Sequence, residues 1–269
     1  MVMFYFSGTG NSKYIAELFC QNMEASCYSI EDKVDFSQLI NSEVIIGFCY
    51  PIYGSRVPRN MRQFVQRFLP ELKGKKLIIF ATQLLFSGDG ARVLTDLFPE
   101  NYIEVFYADH FHMPNNVSNF FLLGQRSKKG IEKKLLKAEK KLIAICNDIK
   151  LGKVKRRGFS ALSKFLGKIQ GNLWQKDSKS VDLMPGSMEE KIAKSVRVSQ
   201  DCTLCSICVR SCPVKNLKLE NKSIMHNNNC VVCYRCVNIC PERAISVMLK
   251  AKPKWQYNRL LKLEKNVSV

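Results

Sequence analysis

Apolar positions along this chain change their period several times. Residues 2–6 (VMFYF) form a short apolar run that passes through SGTGNS (7–12) into KYIAELFCQNM, where Ile15, Leu18, Phe19 and Met23 recur at helical spacing. That predicts a strand, a loop and a helix. EVIIGFCY (43–50), KKLIIFAT (75–82) and NYIEVFYADHF (101–111) are unbroken apolar runs, the pattern of strands buried on both faces of a parallel sheet. Helical periods fall at about 59–69 (Met61, Phe64, Val65, Phe68), 88–98 and 128–150, and a short strand at 25–30 brings the strands to five. The alternation predicts an α/β fold over residues 1–150, a doubly wound five-stranded parallel sheet.

Beyond residue 150 the pattern breaks. LGKVKRRGFS reads as a basic joint, and GFSALSKFLGKIQGNLW then places Phe159, Leu162, Phe165, Leu166, Ile169 and Trp174 at helical spacing, with Lys164 and Lys168 on another face. The expectation is a linker, 151–195, whose amphipathic helix packs its apolar stripe between two domains; contact with a membrane surface is the alternative. A basic tail (251–269) carries Trp255, Leu260, Leu261 and Leu263 and is expected to dock on the body.

Composition narrows the classes. The 269 residues are 46% hydrophobic, enough for two ordinary domains, and carry a net charge of +19. That charge is uneven: residues 151–200 hold eleven Lys and Arg against four Asp and Glu. Such a field attracts an acidic protein, an anionic membrane or nucleic acid; no nucleic-acid reader motif accompanies it, so that partner is set aside. MVMFYF is too short for an export signal, and no apolar run reaches membrane-spanning length, so a soluble, cytoplasmic protein is expected. Twelve cysteines in that setting point away from disulfides. Cys20, Cys27, Cys49 and Cys146 read as buried free thiols.

Three loops at the carboxyl edge of the sheet carry candidate chemistry. In SGTGNS, Gly8 and Gly10 permit close backbone approach, and Ser7, Thr9, Asn11 and Ser12 offer polar groups where a helix begins, a cradle suited to phosphate. It has neither the Gly-Lys-Ser/Thr of a triphosphate loop nor the third glycine of the dinucleotide fingerprint, Lys13 standing there. YPIYGSRVP (50–58) and TQLLFSGDGA (82–91) follow the next strands at the same edge. Together these loops resemble those of flavodoxin. The resemblance implies flavin mononucleotide (FMN), with the first loop on its phosphate and Pro51, Ile52, Tyr53, Gly54, Thr82, Gln83, Leu84, Phe86, Ser87, Gly88 and Asp89 around its ring. Tyr53 and Phe86 are candidates to stack on the flavin, core packing being the alternative for Phe86. His112, or His110, after the last strand, is a candidate proton donor, a plain hydrogen-bonding role being the alternative.

The remaining eight cysteines form a repeat. CTLCSICVRSCP (202–213) and CVVCYRCVNICP (230–241) both read C-x2-C-x2-C-x3-C-P, the bacterial iron-sulfur run in which the fourth cysteine ligates the other cluster. That rule assigns Cys202, Cys205, Cys208 and Cys240 to one [4Fe-4S] cluster, and Cys230, Cys233, Cys236 and Cys212 to a second. Zinc is the competing ligand, but it does not call for three cysteines at two-residue gaps with a fourth before proline, twice. Residues 196–250 resemble the small α+β two-cluster bacterial ferredoxin, with Val214, Leu217, Leu219, Ala244, Ile245 and Val247 supplying its short strands. The whole chain resembles the flavodoxin-ferredoxin fusion proteins of anaerobes. The resemblance implies a cytosolic carrier relaying low-potential electrons between the clusters and FMN, serving an acidic redox partner. A reductase acting on a small organic acceptor, and a sensor or assembly protein, are the other readings.

Overall fold

The computed structural model describes residues 1–120 and 127–259; Leu260, Leu261 and Leu263 lie outside the described residues. In the first half, β1 (Val2–Tyr5), β2 (Ser26–Ser29), β3 (Ile45–Pro51), β4 (Lys76–Gln83) and β5 (Glu104–His112) pair in parallel in the order β2-β1-β3-β4-β5. This is the doubly wound order whose ligands sit at the carboxyl edge, at the switch between β1 and β3. A sixth strand, β6 (Lys155–Arg156), joins β5 at the edge. It comes from the basic joint, whose two charged residues carry no strand signal.

The period-2 alternation of each strand divides the core into two faces. Val2, Phe4, Ile46, Phe48, Leu77 and Ile79 meet Met61, Phe64 and Val65 of α3 (Arg59–Arg67), while α2 (Phe36–Asn41) adds Phe36. Met3, Cys49, Ile78, Phe80 and Tyr107 meet Ile15 and Phe19 of α1 (Asn11–Met23), and Leu142 and Ile145 of α4 (Lys128–Lys150). Each fully buried side chain of this size contributes about 1.5–3 kcal/mol. Cys20, Cys49 and Cys146 are buried within the second face, as small hydrophobes. Residues 88–98 form a 3-10 stretch, Arg92–Leu97, instead of an α-helix: its first turn is tied by a backbone bond from Arg92 N to Asp89 O and by the Arg92 guanidinium on Asp89 and Asp96.

The second half is small and internally repeated. Helices α7 (Ile207–Ser211) and α8 (Arg235–Ile239) occupy equivalent places in the two cysteine runs. Backbone torsions repeat with them: Leu204 and Val232, Ser206 and Tyr234, and Lys215 and Arg243 all have φ between 49° and 59°. A β-branched valine with positive φ is strained, and the same turn recurs at the same point of both runs. Two antiparallel ribbons complete the unit, β7 (Arg197–Val198) with β10 (Ile245–Ser246) and β8 (Leu217–Glu220) with β9 (Ser223–His226).

Between the halves run α5 (Ala161–Trp174) and α6 (Met188–Ala193). Three arginines at a spacing of three, Arg56, Arg59 and Arg62, leave the first half buried, Arg56 and Arg62 reaching into this connecting segment and Arg59 into the second half. Arg56 donates to Gln175 O (3.1 Å) and Asn172 Oδ1 (3.1 Å), Arg59 to Asn229 O (2.6 Å), and Arg62 to Glu189 (2.9 Å) and Val57 O (2.7 Å). The sequence reading passed over RVPRNMR because surface arginines on an amphipathic helix carry the same pattern.

The expected packing of α5 holds for only part of its stripe: Phe159 packs against the core of the first half and Trp174 against that of the second, and Leu166 is half-buried. Gly167 and Gly171 are its buried positions, and Leu162, Phe165, Ile169 and Leu173 are exposed. The cause is close approach: a methyl group on Gly167 would overlap the Asp89 carboxylate, and one on Gly171 would overlap the Arg56 guanidinium. The described part of the tail, up to residue 259, packs on the body: Gln256 donates to Val237 O and Cys240 O, and the Tyr257 hydroxyl to Asn11 Oδ1 at 2.8 Å.

Candidate functional site

SGTGNS turns out of β1 and reaches α1 through Gly10 at φ 98°, a left-handed position that glycine adopts without steric penalty. Gly10 N donates to Ser7 Oγ (3.0 Å), Ser12 Oγ pairs with Thr82 Oγ1 (2.8 Å), and Asn11 Nδ2 donates to Pro114 O (3.0 Å). Thr9 Oγ1 is buried with no partner.

A cavity of about 180 Å³ lies against this loop. Ser7, Gly8, Thr9, Asn11, Ser12, Pro51, Ile52, Tyr53, Gly54, Thr82, Gln83 and Leu84 all line it. Met113 to Asn116, after β5, line it too, as the position of that loop implied. The second half closes it with Val232, Tyr234 and Met248, and the end of α5 with Trp174, which packs on Gly54. Trp174 was read only as part of an apolar stripe; the glycine it rests on is the local signal that marks a close approach.

Other expected positions do not line it: Gly10 forms the turn into α1. Phe86 is 55% exposed and does not line the cavity. Ser87, Gly88 and Asp89 are buried but turn toward α5 and Arg92: Gly88 abuts the backbone of Gly167, and Asp89 pairs with Arg92 at 2.6 Å. The loop therefore serves as a seat for α5 beyond Leu84. His112 is also outside the cavity, exposed on the α4 side beside Lys133, Lys134 and Lys137. That placement sets His112 apart from the residues expected to hold the flavin.

His110 is buried and accepts a hydrogen bond from Ala91 N through Nε2 (2.9 Å), which requires a neutral ring. Burial, with the nearby Arg157 charge, pushes its pKa down to about 4. The unfolded chain therefore takes up this proton near pH 6.5 and the folded one only near pH 4, so stability falls as pH drops through that window, by roughly 3 kcal/mol at its end. Urea midpoints at pH 7 and pH 5 should differ more for the wild type than for His110→Gln.

The two cysteine runs come together by crossing. Cys212, Cys230, Cys233 and Cys236 line one small cavity, otherwise walled by apolar residues such as Val196, Leu217 and Val231. Around Cys208, burial and the nearby Cys240, Cys202 and Cys205 push the thiol up to about 11. Burial likewise pushes Cys230 up to about 12 and Cys233 to about 11. Backbone N–H groups donate to sulfur from Asn216 to Cys212 (3.2 Å), Val232 to Cys230 (3.3 Å) and Ala244 to Cys240 (3.3 Å).

The loop of the first half and the second run touch directly. A methyl group on Gly8 would overlap the Cys233 carbonyl oxygen. Beside it Arg235 donates to Ser7 O (2.8 Å), Gly8 O (3.2 Å) and Ser211 O (3.0 Å) while pairing with Glu31 through both nitrogens at 2.6 and 2.7 Å. One guanidinium thus fixes the first loop, the end of the first run and the second run. Gly8→Ala should lose roughly 1–3 kcal/mol by overpacking and separate the loop from Cys233; chemical denaturation with FMN titration reads both.

Comparison with known proteins agrees with this construction. Residues 2–130 match the family model of the flavodoxin domain, and residues 188–245 that of the 4Fe-4S dicluster domain. No curated protein matches the chain. Similar solved structures include two-electron reduced Megasphaera elsdenii flavodoxin, 20% identical over 52% of this chain and 99% of that one, TM-score 0.36. Others are oxidised flavodoxin 2 from Bacillus cereus (15% identical, 54% and 97% covered, TM-score 0.34) and the Trp repressor binding protein of Bacillus subtilis (14%, 55% and 96%, TM-score 0.38).

The two matched domains define an iron-sulfur flavoprotein of electron transfer, with FMN and two [4Fe-4S] clusters as its cofactors. Their order along the chain matches that of a flavodoxin-ferredoxin fusion.

Proposed function

We propose that this protein relays low-potential electrons within one chain, between FMN at the sheet edge and its two clusters, in exchange with an acidic redox protein. In this reading the cluster held by Cys212, Cys230, Cys233 and Cys236 is next to the flavin, and the one held by Cys202, Cys205, Cys208 and Cys240 lies farther out. The observation that carries it is the contact of Gly8 with the Cys233 carbonyl, together with Tyr234, which lines both the cavity and the pocket of the four cysteines.

The residues present suit both groups. The cavity is apolar along Ile52, Tyr53, Leu84 and Trp174 and polar at the SGTGN end, the division that a ring and a phosphate call for. The unpartnered Thr9 hydroxyl and the start of α1, which no side chain caps, suit a phosphate. Buried thiols as hard to ionise as Cys230 and Cys233 become ligands where a cationic centre compensates their charge.

When bound, FMN supplies a centre that exchanges one or two electrons, and each cluster passes one. The chain's own part is positional. Arg235 locks the loop to the second run, the N–H donors to sulfur stabilise negative charge on the ligands, and Trp174, Val232, Tyr234 and Met248 form one wall of the cavity. That the second run supplies part of this wall favours an internal relay.

Iron, sulfide and flavin analysis of anaerobically purified protein, followed by stepwise reduction under optical and EPR observation, tests the reading. About eight irons and one FMN per chain, all titrating in one connected equilibrium, are expected. Intact clusters without flavin, or a flavin that exchanges no electrons with them, would overturn it.

A further inference from the structure

Helix α5 has the reverse of the usual burial. Its packed positions are Gly167 and Gly171, and at 100° per residue the side chains opposite them are Phe165, Ile169, Leu162 and Leu173. These are 61%, 50%, 67% and 75% exposed, so the ridge faces straight out from the body. Other apolar groups of the adjoining segments are exposed as well: Leu85 and Phe86, on the loop that seats α5, are 65% and 55% exposed, and Leu151 and Val154 in the joint are 71% and 56% exposed.

The charge around this ridge has one sign. From residue 151 to 179 the chain carries Lys153, Lys155, Arg156, Arg157, Lys164, Lys168, Lys176 and Lys179, against the single acid Asp177; of these, Lys153 pairs with Asp148, and Lys155 and Arg157 pair with Asp109. Lys164 and Lys168 are exposed between the packed face and the ridge, where long side chains reach an interface while the apolar residues go deeper. Contiguous exposed apolar surface of this kind marks an interaction site.

We propose that α5, with the joint before it, is a peripheral docking element for an anionic lipid surface, its ridge lying in the headgroup boundary and its basic residues on the lipid charges. Charge complementarity selects this occupant. The ridge lies on a convex helix beside the exposed Lys164 and Lys168, with Lys176 and Lys179 following it in sequence, which matches an anionic plane; among the described residues no helix is long and apolar enough to cross a membrane. Because Trp174 at the end of the same helix lines the cavity, docking places the electron-transfer site beside the membrane. The packing of α5 is independent of the relay reading, so either can fail alone.

The test is cosedimentation of the full holoprotein with vesicles of phosphatidylcholine alone and with a third phosphatidylglycerol, at low and high salt. Binding is expected on the anionic vesicles, weakened at least tenfold by 0.5 M salt or by omission of phosphatidylglycerol. Phe165→Ser with Ile169→Ser should abolish it, and Lys164→Gln with Lys168→Gln should weaken it roughly tenfold. Both pairs are surface changes, so flavin content, cluster spectra and melting temperature should stay as in the wild type. No binding of the wild type to anionic vesicles, or binding unchanged in the Phe165→Ser/Ile169→Ser protein, would overturn the proposal. So would a ridge that serves only self-association or capture by an acidic protein.

Discussion

Cys212→Ser should lower the iron content from about eight to about four per chain and remove the cluster of the second run, although Cys212 belongs to the first. The expectation follows from the cavity that Cys212 shares with Cys230, Cys233 and Cys236. With that cluster gone, nothing bridges the interval between the outer cluster and the cavity, so reduction of the flavin through the clusters should slow by more than tenfold. Cys202→Ser is the contrast. It should also lose about four irons, yet leave the remaining cluster beside Gly8 and the flavin still reducible through it. Iron analysis, EPR and FMN content distinguish the two variants from misfolding, since FMN should remain in both. An equal effect of the two changes on flavin reduction would contradict the proximal assignment.

The second large effect concerns the joint between the halves. Arg62 and Glu189 pair at 2.9 Å with side chains only 1% and 5% exposed. Glu189→Ala leaves the Arg62 charge buried without its counterion, and should destabilise the protein by about 3–5 kcal/mol. Arg62→Met leaves the carboxylate in the same position and should cost a similar amount. The double change to Met and Leu removes both charges and should recover most of the loss, because the gain of a buried pair over an apolar one is small or negative. Thermal and urea unfolding measure all three. Additive losses in the double variant would show that the two groups do not act as a pair.

How much of this was legible follows from the kind of signal each element carries. The strands 45–51 and 76–83 and the helix 128–150 have periods strong enough to read, and the eight cysteines have a spacing that few other sites demand. The loop SGTGNS could be placed because it falls at a strand end, where the fold puts ligands. What could not be read depends on which face meets what. The apolar period of α5 shows that it is amphipathic; its packed side is chosen by Gly167 and Gly171, which emit no hydrophobic signal and matter only because Asp89 and Arg56 approach them. The same contact draws Ser87, Gly88 and Asp89 away from the cavity and leaves Phe86 outside. His112 was misplaced for a simpler reason: successive strand residues point to opposite faces, and one position decides whether a side chain meets the ligand or α4.

The measurement that bears most directly on the account is anaerobic rapid mixing of the holoprotein with a one-electron donor that reduces the clusters. The account predicts early bleaching of the cluster absorption, then reduction of the flavin at a rate independent of protein concentration, with the second phase slowed at least tenfold in Cys212→Ser. A flavin phase that scales with protein or donor concentration, or that is unaffected by Cys212→Ser, would contradict a relay through the cluster beside Gly8.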